Sequence, residues 1–189
     1  TAIEANIGEH YSITGIPAFD DTVNGFVETW YDQSGNGNDA EQTVAANQPK
    51  IVDGGSLVTG GIEFDGADDG LASGNVPLFS NTDGQSVFAV FNSYTAINSM
   101  IIDKYSATVG ERQWAVQNDS YNVQDNPSSF NADNIAQISF TTGNRLQTNI
   151  WSPSVFTNLY KNGALVATAT TPATDIGTTT QLVRIGEAS

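Results

Sequence analysis

The chain has 189 residues, no cysteine and one histidine, and its 21 acidic residues against 6 basic ones give a net charge of −15 at pH 7. The absence of cysteine excludes a disulfide framework and a thiolate metal site, and the lone His10 excludes a cluster of histidine ligands. So acidic a surface disfavours nucleic acid and anionic membranes as partners, and suits cations, neutral sugars and a saline exterior. No run of about 20 apolar residues is present, so we expect no membrane insertion.

The length predicts one domain over residues 1–189. We expect residues 1–25 to form an irregular N-terminal segment, because Gly8, Gly15 and Pro17 interrupt any periodic pattern there. From Phe26 onward the pattern predicts strands throughout, and clusters of Asn, Gly, Asp and Ser recur about every 8 to 12 residues, as in an all-β sandwich. The predicted strands are residues 26–30, 40–44, 48–52, 61–65, 87–91, 100–103, 113–117, 136–140, 150–160, 165–170 and 181–185.

Some of these strands carry more specific expectations. Residues 87–91 form a nearly continuous apolar run, which predicts a strand buried on both faces or central in a sandwich. Trp30 and Phe64 lie within apolar patterning and are predicted to be core side chains. Asn162 and Gly163 stand between two predicted strands, where this dipeptide favours a type I′ hairpin turn.

The loop after Trp30 is made of small and polar residues that favour neither helix nor strand. Counted from Asp32 as position 1, oxygen-bearing side chains fall at positions 3, 5 and 7, as in the first half of an EF-hand-like calcium loop. Position 12 is Thr43, where a bidentate Glu is needed. Two interpretations stay open, a calcium site and a turn whose side chains cap its own backbone. The residues concerned are Asp32, Ser34, Asn36, Asn38 and Asp39.

A sugar-binding site needs aromatic faces beside polar hydrogen-bonding groups. Trp151 stands at a strand–loop junction and is the ring that we most expect to be exposed. Trp114 is either a core side chain or a second platform, and Tyr105 and Tyr121 complete the candidate ligand-binding residues. The segment 121–130 is rich in Asn and Ser, so it is either the rim of a site or an ordinary solvated loop.

Residues 31–39 (YDQSGNGND) resemble the DxSGNGN signature of laminin-G-like domains in the concanavalin A-like lectin/glucanase superfamily. Residues 48–52, 64–71, 159–163 and 184–186 match the same pattern in the same order. A related YDQSGxGN segment occurs in the catalytic sandwich of fungal arabinofuranosidases. The resemblance covers residues 26–189 and implies an antiparallel jelly-roll β-sandwich.

The resemblance also bears on the two ends of the chain. Such domains usually continue for a further strand after the segment matched by residues 184–186, so we expect a sandwich truncated at one or both ends. The slot of that further strand is then expected to be filled by residues 2–13 or by a neighbouring molecule.

The acidic residues that follow Ile62 allow three interpretations. Glu63, Asp65 and Asp68 are similar to the Glu-x-Asp-x-x-Glu signature of laminarinase-like glucanases, in which two carboxylates flank the scissile bond. This chain departs from that signature, because Asp68 replaces the last Glu and Gly66-Ala67 replaces a bulky apolar pair. In the second interpretation the acidic side chains cap a turn, and in the third they form a calcium site together with Asp32 and Asn36. The acids in these two alternatives are Asp65, Asp68 and Asp69.

Together these observations favour a non-catalytic carbohydrate-binding or adhesion module of a larger secreted bacterial or phage protein. One alternative is a glycoside hydrolase that acts on a polysaccharide through Glu63 and Asp65. Another is a structural domain of a phage tail, fibre or capsid appendage. Expected partners are a carbohydrate or another protein copy, calcium is the expected cofactor if there is one, and the expected location is extracellular or virion-associated.

Overall fold

The computed structural model describes residues 22–74, 84–93, 100–104, 113–118, 120–123, 135–137, 142–153, 155–169 and 181–186. Within these ranges the chain is all-β, with one short 3-10 turn at Ala45–Asn47, and each strand pairing is antiparallel. The predicted all-β antiparallel class is therefore confirmed. No helix in the described ranges has the length and apolar character needed to cross a membrane.

The strands form three sheets, with four, eight and three members. In chain order they are β1 (Gly25–Phe26), β2 (Thr29–Trp30), β3 (Ala40–Glu41), β4 (Lys50–Asp53), β5 (Ser56–Leu57), β6 (Leu71–Ser73), β7 (Gln85–Ser93), β8 (Met100–Lys104), β9 (Trp114–Gln117), β10 (Ser120–Val123), β11 (Ile135–Gln137), β12 (Gly143–Ser152), β13 (Phe156–Lys161), β14 (Ala164–Ala169) and β15 (Val183–Ile185). The spatial orders are β14-β13-β12-β7, β11-β10-β9-β8-β15-β6-β3-β2 and β1-β4-β5.

The four-stranded and eight-stranded sheets pack face to face around the larger hydrophobic core. Trp151 and Leu159 come from the four-stranded sheet, whereas Trp114, Val116 and Val183 come from the eight-stranded one. Each such side chain contributes about 1.5–3 kcal/mol when it is fully removed from water. The two layers therefore form a β-sandwich whose centre is partly aromatic.

A smaller core lies at the other end of the eight-stranded sheet. Val27, Ala40 and Leu71 are enclosed there, and Phe64 packs against them. The predicted core position of Phe64 is therefore confirmed. This second cluster joins the three-stranded sheet to the sandwich, because Ile51 of β4 also packs against it.

Strand β15 connects the two cores. Val183 belongs to the larger core, and Ile185 packs against the smaller one. Between them, the Arg184 guanidinium donates to Oδ1 of the buried Asp103, from Nη2 at 3.0 Å and from Nε at 3.3 Å. This ion pair is the charged contact that fixes the register of β15 against β8.

The filling of the missing strand's slot by residues 2–13 or a neighbouring molecule stays a prediction. Strand β15 pairs with β6 along one edge and with β8 along the other, so both of its backbone edges are already occupied. Residues 2–13, which were expected to fill that slot, lie outside the described ranges.

Part of the sandwich interior is polar. On the inner face of β12, Gln147 Nε2 donates to the carbonyl oxygen of Gln117 and to Oδ1 of Asn149, both at 3.1 Å. The buried Arg145 donates to the carbonyl oxygen of Asn118 and lies 5.3 Å from the ring centroid of Phe91. These amide and guanidinium contacts stabilise an interior that hydrophobic patterning does not predict.

Several strand predictions need correction. The predicted strand 26–30 is split between two sheets, the predicted strand 61–65 is reduced to a single bridge between Lys50 and Glu63, and residues 121–123 form part of a strand rather than a loop. The run 87–91 is buried on one face only, since Phe88 is 68% exposed and Val90 is 82% exposed. The nearly continuous apolar run therefore led to a prediction of more burial than β7 has.

The hairpin turn prediction is confirmed, whereas the predicted strand 150–160 is divided between the end of β12 and β13. Strands β13 and β14 pair directly, and the two residues at the centre of their turn, Asn162 and Gly163, have φ values of 50° and 84°. Positive φ at both central positions is what a type I′ turn requires. The Asn162 side chain also accepts a hydrogen bond from the Leu146 N–H at 2.9 Å, which ties the turn to β12.

The end of β15 allows a test of the packing between the two cores. Gly186 has a φ of 77°, and a Cβ added there overlaps the ring of Phe64. Gly66 has nearly the same φ, 76°, with open space around its Cα. We expect Gly66→Ala to cost about 1 kcal/mol from backbone strain, and Gly186→Ala about 2–4 kcal/mol because the steric overlap adds to that strain. Chemical unfolding measures the free energy of unfolding of both variants, and equal decreases contradict the close packing of Phe64 on Gly186.

Candidate functional site

The loop of residues 32–39, called the Asp32 loop below, is organised by one carboxylate. Asp32 accepts hydrogen bonds from the Ser34 N–H and hydroxyl, both at 2.7 Å, and from the Asn38 N–H at 3.1 Å. Gly35 and Gly37 adopt φ values of 82° and 72°, which let the chain wrap around this carboxylate. The loop thus forms a self-capped turn, which was one of the two interpretations of its sequence.

A second set of contacts closes the Asp32 loop and attaches it to the sheet. Asp39 Oδ1 accepts a hydrogen bond from the Asp32 N–H at 2.7 Å, so the two ends of the loop hold each other. The Ser73 hydroxyl of β6 donates to the Asn38 carbonyl at 3.1 Å. The loop therefore has a defined shape although it is largely exposed.

These hydrogen bonds favour the ionised form of Asp32. The Ser34 hydroxyl contributes most, followed by the N–H groups of Ser34 and Asn38, and together they lower the pKa of Asp32 from 3.8 to about 2. Asp32 is therefore negatively charged over the whole physiological pH range. Its two oxygens already accept hydrogen bonds from the loop, so a calcium ion here has to compete with those donors.

Two aromatic side chains stand immediately before this loop. Trp30 is 49% exposed and Tyr31 is 66% exposed. The predicted core position of Trp30 is wrong, because β2 is the edge strand of the eight-stranded sheet and only β3 covers it among the described strands. An exposed indole and an exposed phenol ring therefore lie next to a rigid loop with amide and hydroxyl side chains.

Some amide groups of the Asp32 loop have hydrogen-bonding capacity left. The Asn36 Nδ2 group donates to Ser34 Oγ at 2.9 Å, and Gln33 Nε2 donates to the Tyr31 carbonyl at 3.1 Å, so both side chains are positioned by their nitrogen atoms. Their carbonyl oxygens make no hydrogen bond within the described residues. Neutral acceptors beside aromatic rings are the combination that sugar hydroxyls and sugar ring faces recognise.

A second acidic loop, residues 65–69, repeats the same type of closure. Asp65 Oδ1 accepts from the N–H groups of Ala67, Asp68 and Asp69 at 2.8, 3.3 and 3.4 Å, and Asp69 Oδ2 accepts from the Asp65 N–H at 3.0 Å. The Ala67 bond is the main cause that lowers the pKa of Asp65. We call this the Asp65 loop.

The two loops lie at opposite ends of one strand pair. Strand β3 pairs antiparallel with β6, with Ala40 opposite Ser73. The Asp32 loop leads into the start of β3, beside Ser73, whereas the Asp65 loop leads into the start of β6, where Gln42 Nε2 donates to the Gly70 carbonyl. The two loops are therefore attached at opposite ends of this strand pair, and a calcium site shared between them stays a prediction.

The acids of the Asp65 loop do come together. Among the described residues, Asp65, Asp68 and Asp69 form the one group of three acidic side chains whose ligand atoms lie within 4.8 Å of one another. Burial, and then the neighbouring carboxylates, raise the pKa of Asp69. Repulsion of this kind is relieved by a bound cation or by a proton. Calcium at either loop stays a prediction.

The carboxylates considered for catalysis have structural contacts. Glu63 is exposed and lies 3.5 Å from Lys50 Nζ, and Asp65 is held by three backbone N–H groups of its own loop. Asp68 is exposed beside them. These contacts account for Glu63 and Asp65 without a reaction, and a catalytic role for the three acids stays a prediction.

The predicted ligand-binding aromatics are placed differently from Trp30 and Tyr31. Trp151 is 1% exposed and Trp114 is 3% exposed, and both belong to the larger core. The expectation that the Trp151 ring is exposed is therefore wrong. Of the two interpretations of Trp114, a core side chain is the one observed. Tyr105 and the side chain of Tyr121 lie outside the described part of the chain.

Comparisons with known proteins find no relative. No family model matches the chain, and neither a curated protein nor a solved structure matches it.

The lowered pKa of Asp32 gives the first test of this site. Because the folded-state pKa of about 2 lies below 3.8, the carboxylate stabilises the fold above about pH 4, and this contribution is lost as the pH falls through 2. We expect Asp32→Asn to lower the melting temperature at pH 6. We expect the difference in melting temperature between this variant and the wild type to disappear as the pH falls below 2. Calorimetry over this pH range measures the two melting temperatures, and equal melting temperatures at pH 6 contradict the stabilising role of the Asp32 carboxylate.

Calcium binding by the Asp65 loop is tested by linkage. An ion bound only to the folded state stabilises it by about 2.7 kcal/mol at a hundredfold excess over its Kd. We expect calcium to raise the melting temperature of metal-free protein, and Asp68→Asn to reduce that rise. Asp53→Asn, at an exposed carboxylate outside the cluster, is the matched control. Equal melting temperatures in calcium and in EDTA contradict the prediction.

Proposed function

We propose that this chain is a non-catalytic carbohydrate-binding or adhesion module of a larger secreted bacterial or phage protein. Its ligand contacts Trp30, Tyr31 and the Asp32 loop. The observation that carries the proposal is the exposure of these two aromatic rings directly beside a loop that is already held in shape by its own hydrogen bonds.

The chemistry of this surface fits a sugar. Indole and phenol rings stack on the apolar face of a pyranose ring, and neutral amide groups hydrogen-bond its hydroxyls. The Asp32 loop is ordered before the ligand arrives, so binding loses little of its conformational entropy. Preorganisation thus offsets the small size of the surface.

The charge around the site selects among sugars. Asp32 and Asp39 belong to the loop itself, and two exposed glutamates lie beside it, Glu28 just before β2 and Glu41 on β3. This negative field repels sulfated, uronic and sialylated glycans. The ligand class is therefore a neutral oligosaccharide or polysaccharide, and calcium is an accessory ion at most.

The proposal includes a laminin-G-like jelly roll of the concanavalin A-like superfamily. The two-layer antiparallel sandwich supports it, as does the position of the matching motifs. Residues 31–39 contain the Asp32 loop, residues 159–163 lie at the β13–β14 hairpin and residues 184–186 overlap β15. An extracellular or virion-associated location agrees with this function and with the net charge of −15.

The test begins with an array of neutral glycans, which identifies a ligand for titration. We expect Trp30→Ala to weaken binding of that ligand about tenfold or more, which corresponds to about 1.4 kcal/mol, because the stacking face is lost. Phe88→Ala is the matched control, since Phe88 is an aromatic side chain that is 68% exposed and lies on the four-stranded sheet, away from the Asp32 loop. No binding to any glycan at millimolar concentration, or equal affinity of Trp30→Ala and wild type, contradicts the proposal.

A further inference from the structure

We propose that the outer face of the four-stranded sheet is a self-docking surface, on which a second copy of this chain packs sheet against sheet. This outer face is the side of β7, β12, β13 and β14 turned away from the larger core. The proposal goes beyond carbohydrate binding and depends on a different surface from Trp30 and the Asp32 loop.

The outer face exposes several large apolar side chains alongside polar ones such as Asn92 and Asn144. Val90 is 82% exposed, Phe88 68%, Leu165 54% and Leu146 38%. Isolated exposed apolar residues are normal on a protein surface, whereas a contiguous group of them marks an interaction site.

Strand register makes this group contiguous. Val90 stands directly opposite Leu146, and Phe88 stands opposite Thr148. Thr148 is in turn opposite Tyr160 on β13. Directly opposed side chains on one face of antiparallel strands touch their neighbours, so the apolar surface runs across the sheet from β7 through β12 to β13. On β14, Leu165 continues it opposite Tyr160.

The outer face is also free of charge. None of the four strands contains an Asp or a Glu, although the chain has 21 acidic residues. The two basic residues of these strands are Arg145, which is buried on the inner face, and Lys161, which pairs in register with the inward-facing Gln147. Depletion of charge together with exposed aromatic and aliphatic groups is the composition of an interface core.

Charge also identifies the partner. A basic protein or a cationic surface is attracted to the acidic parts of the chain, not to a face without carboxylates. An uncharged sheet face rich in apolar side chains is complementary to another face of the same kind, and a second copy supplies one related by two-fold symmetry. Two copies that meet through this face place their acidic surfaces away from the contact.

The size of the face predicts a weak dimer. Four strands spaced about 4.8 Å apart, with a mean length near 8 residues at about 3.4 Å each, give a face of roughly 500 Å² per copy. Two such faces together bury roughly 1,000 Å², which is at the lower limit for a specific interface. The association is therefore expected to be concentration-dependent, and to strengthen with salt, because salt screens the repulsion between two copies of charge −15.

The test is analytical ultracentrifugation of the intact chain from about 10 µM to about 1 mM, at low and high sodium chloride. We expect the weight-average mass to rise towards that of a dimer, and more so at high salt. We expect Val90→Glu on β7 to abolish this rise, and Leu165→Glu on β14 to do the same from the other side of the sheet. Val44→Glu adds the same charge at an exposed valine outside this face and is expected to dimerise like the wild type.

Three results overturn the proposal. The first is a wild type that stays monomeric at 1 mM in high salt. The second is a Val90→Glu variant that is folded by circular dichroism and still dimerises. The third is a monomeric wild type that binds an insoluble neutral polysaccharide through Phe88 and Val90 and sediments with it. Trp30→Ala is expected to dimerise normally. A variant that loses sugar binding and still dimerises, or one that loses dimerisation and still binds sugar, therefore distinguishes this proposal from the proposed function.

Discussion

The pairing of β15 between β6 and β8 is the constraint on which the described structure depends. This strand of three residues places Val183 in the larger core and Ile185 against the smaller one, and Arg184 holds the buried Asp103. Loss of Arg184 removes this ion pair from a buried carboxylate, which is costly in a medium of low dielectric constant. The strands that carry the Asp32 and Asp65 loops are therefore positioned by a contact from the far end of the chain.

The two acidic loops show how a highly charged sequence forms defined turns. In each loop the first Asp accepts hydrogen bonds from N–H groups further along, and the last Asp accepts the N–H of the first. This closure needs no apolar interior, so the loops project from the sheet and remain exposed. At the Asp32 loop it leaves the rings of Trp30 and Tyr31 beside fixed neutral amides, and from that arrangement we infer carbohydrate recognition.

The sequence predicts the local features of this chain better than its burial. Turn chemistry predicts the hairpin at Asn162 and the capping role of Asp32, because both depend on residues close in sequence. The burial of Trp151 and the exposure of Trp30 depend on which strand lies at a sheet edge, and alternation does not reveal strand order. The first part of β12 is polar on both faces and is missed for the same reason, since its Gln147 contacts the Gln117 carbonyl across the sandwich and Asn149 on the same strand.

The central claim is that the Trp30 and Asp32 loop surface binds a neutral carbohydrate. Its most direct test is an NMR titration of isotopically labelled protein with the glycan that binds best. The account predicts shifts of the Trp30 indole N–H and of the backbone amides of residues 33–38, with the resonances of β7 and β13 unchanged. Shifts confined to residues outside the Asp32 loop and β2 contradict it.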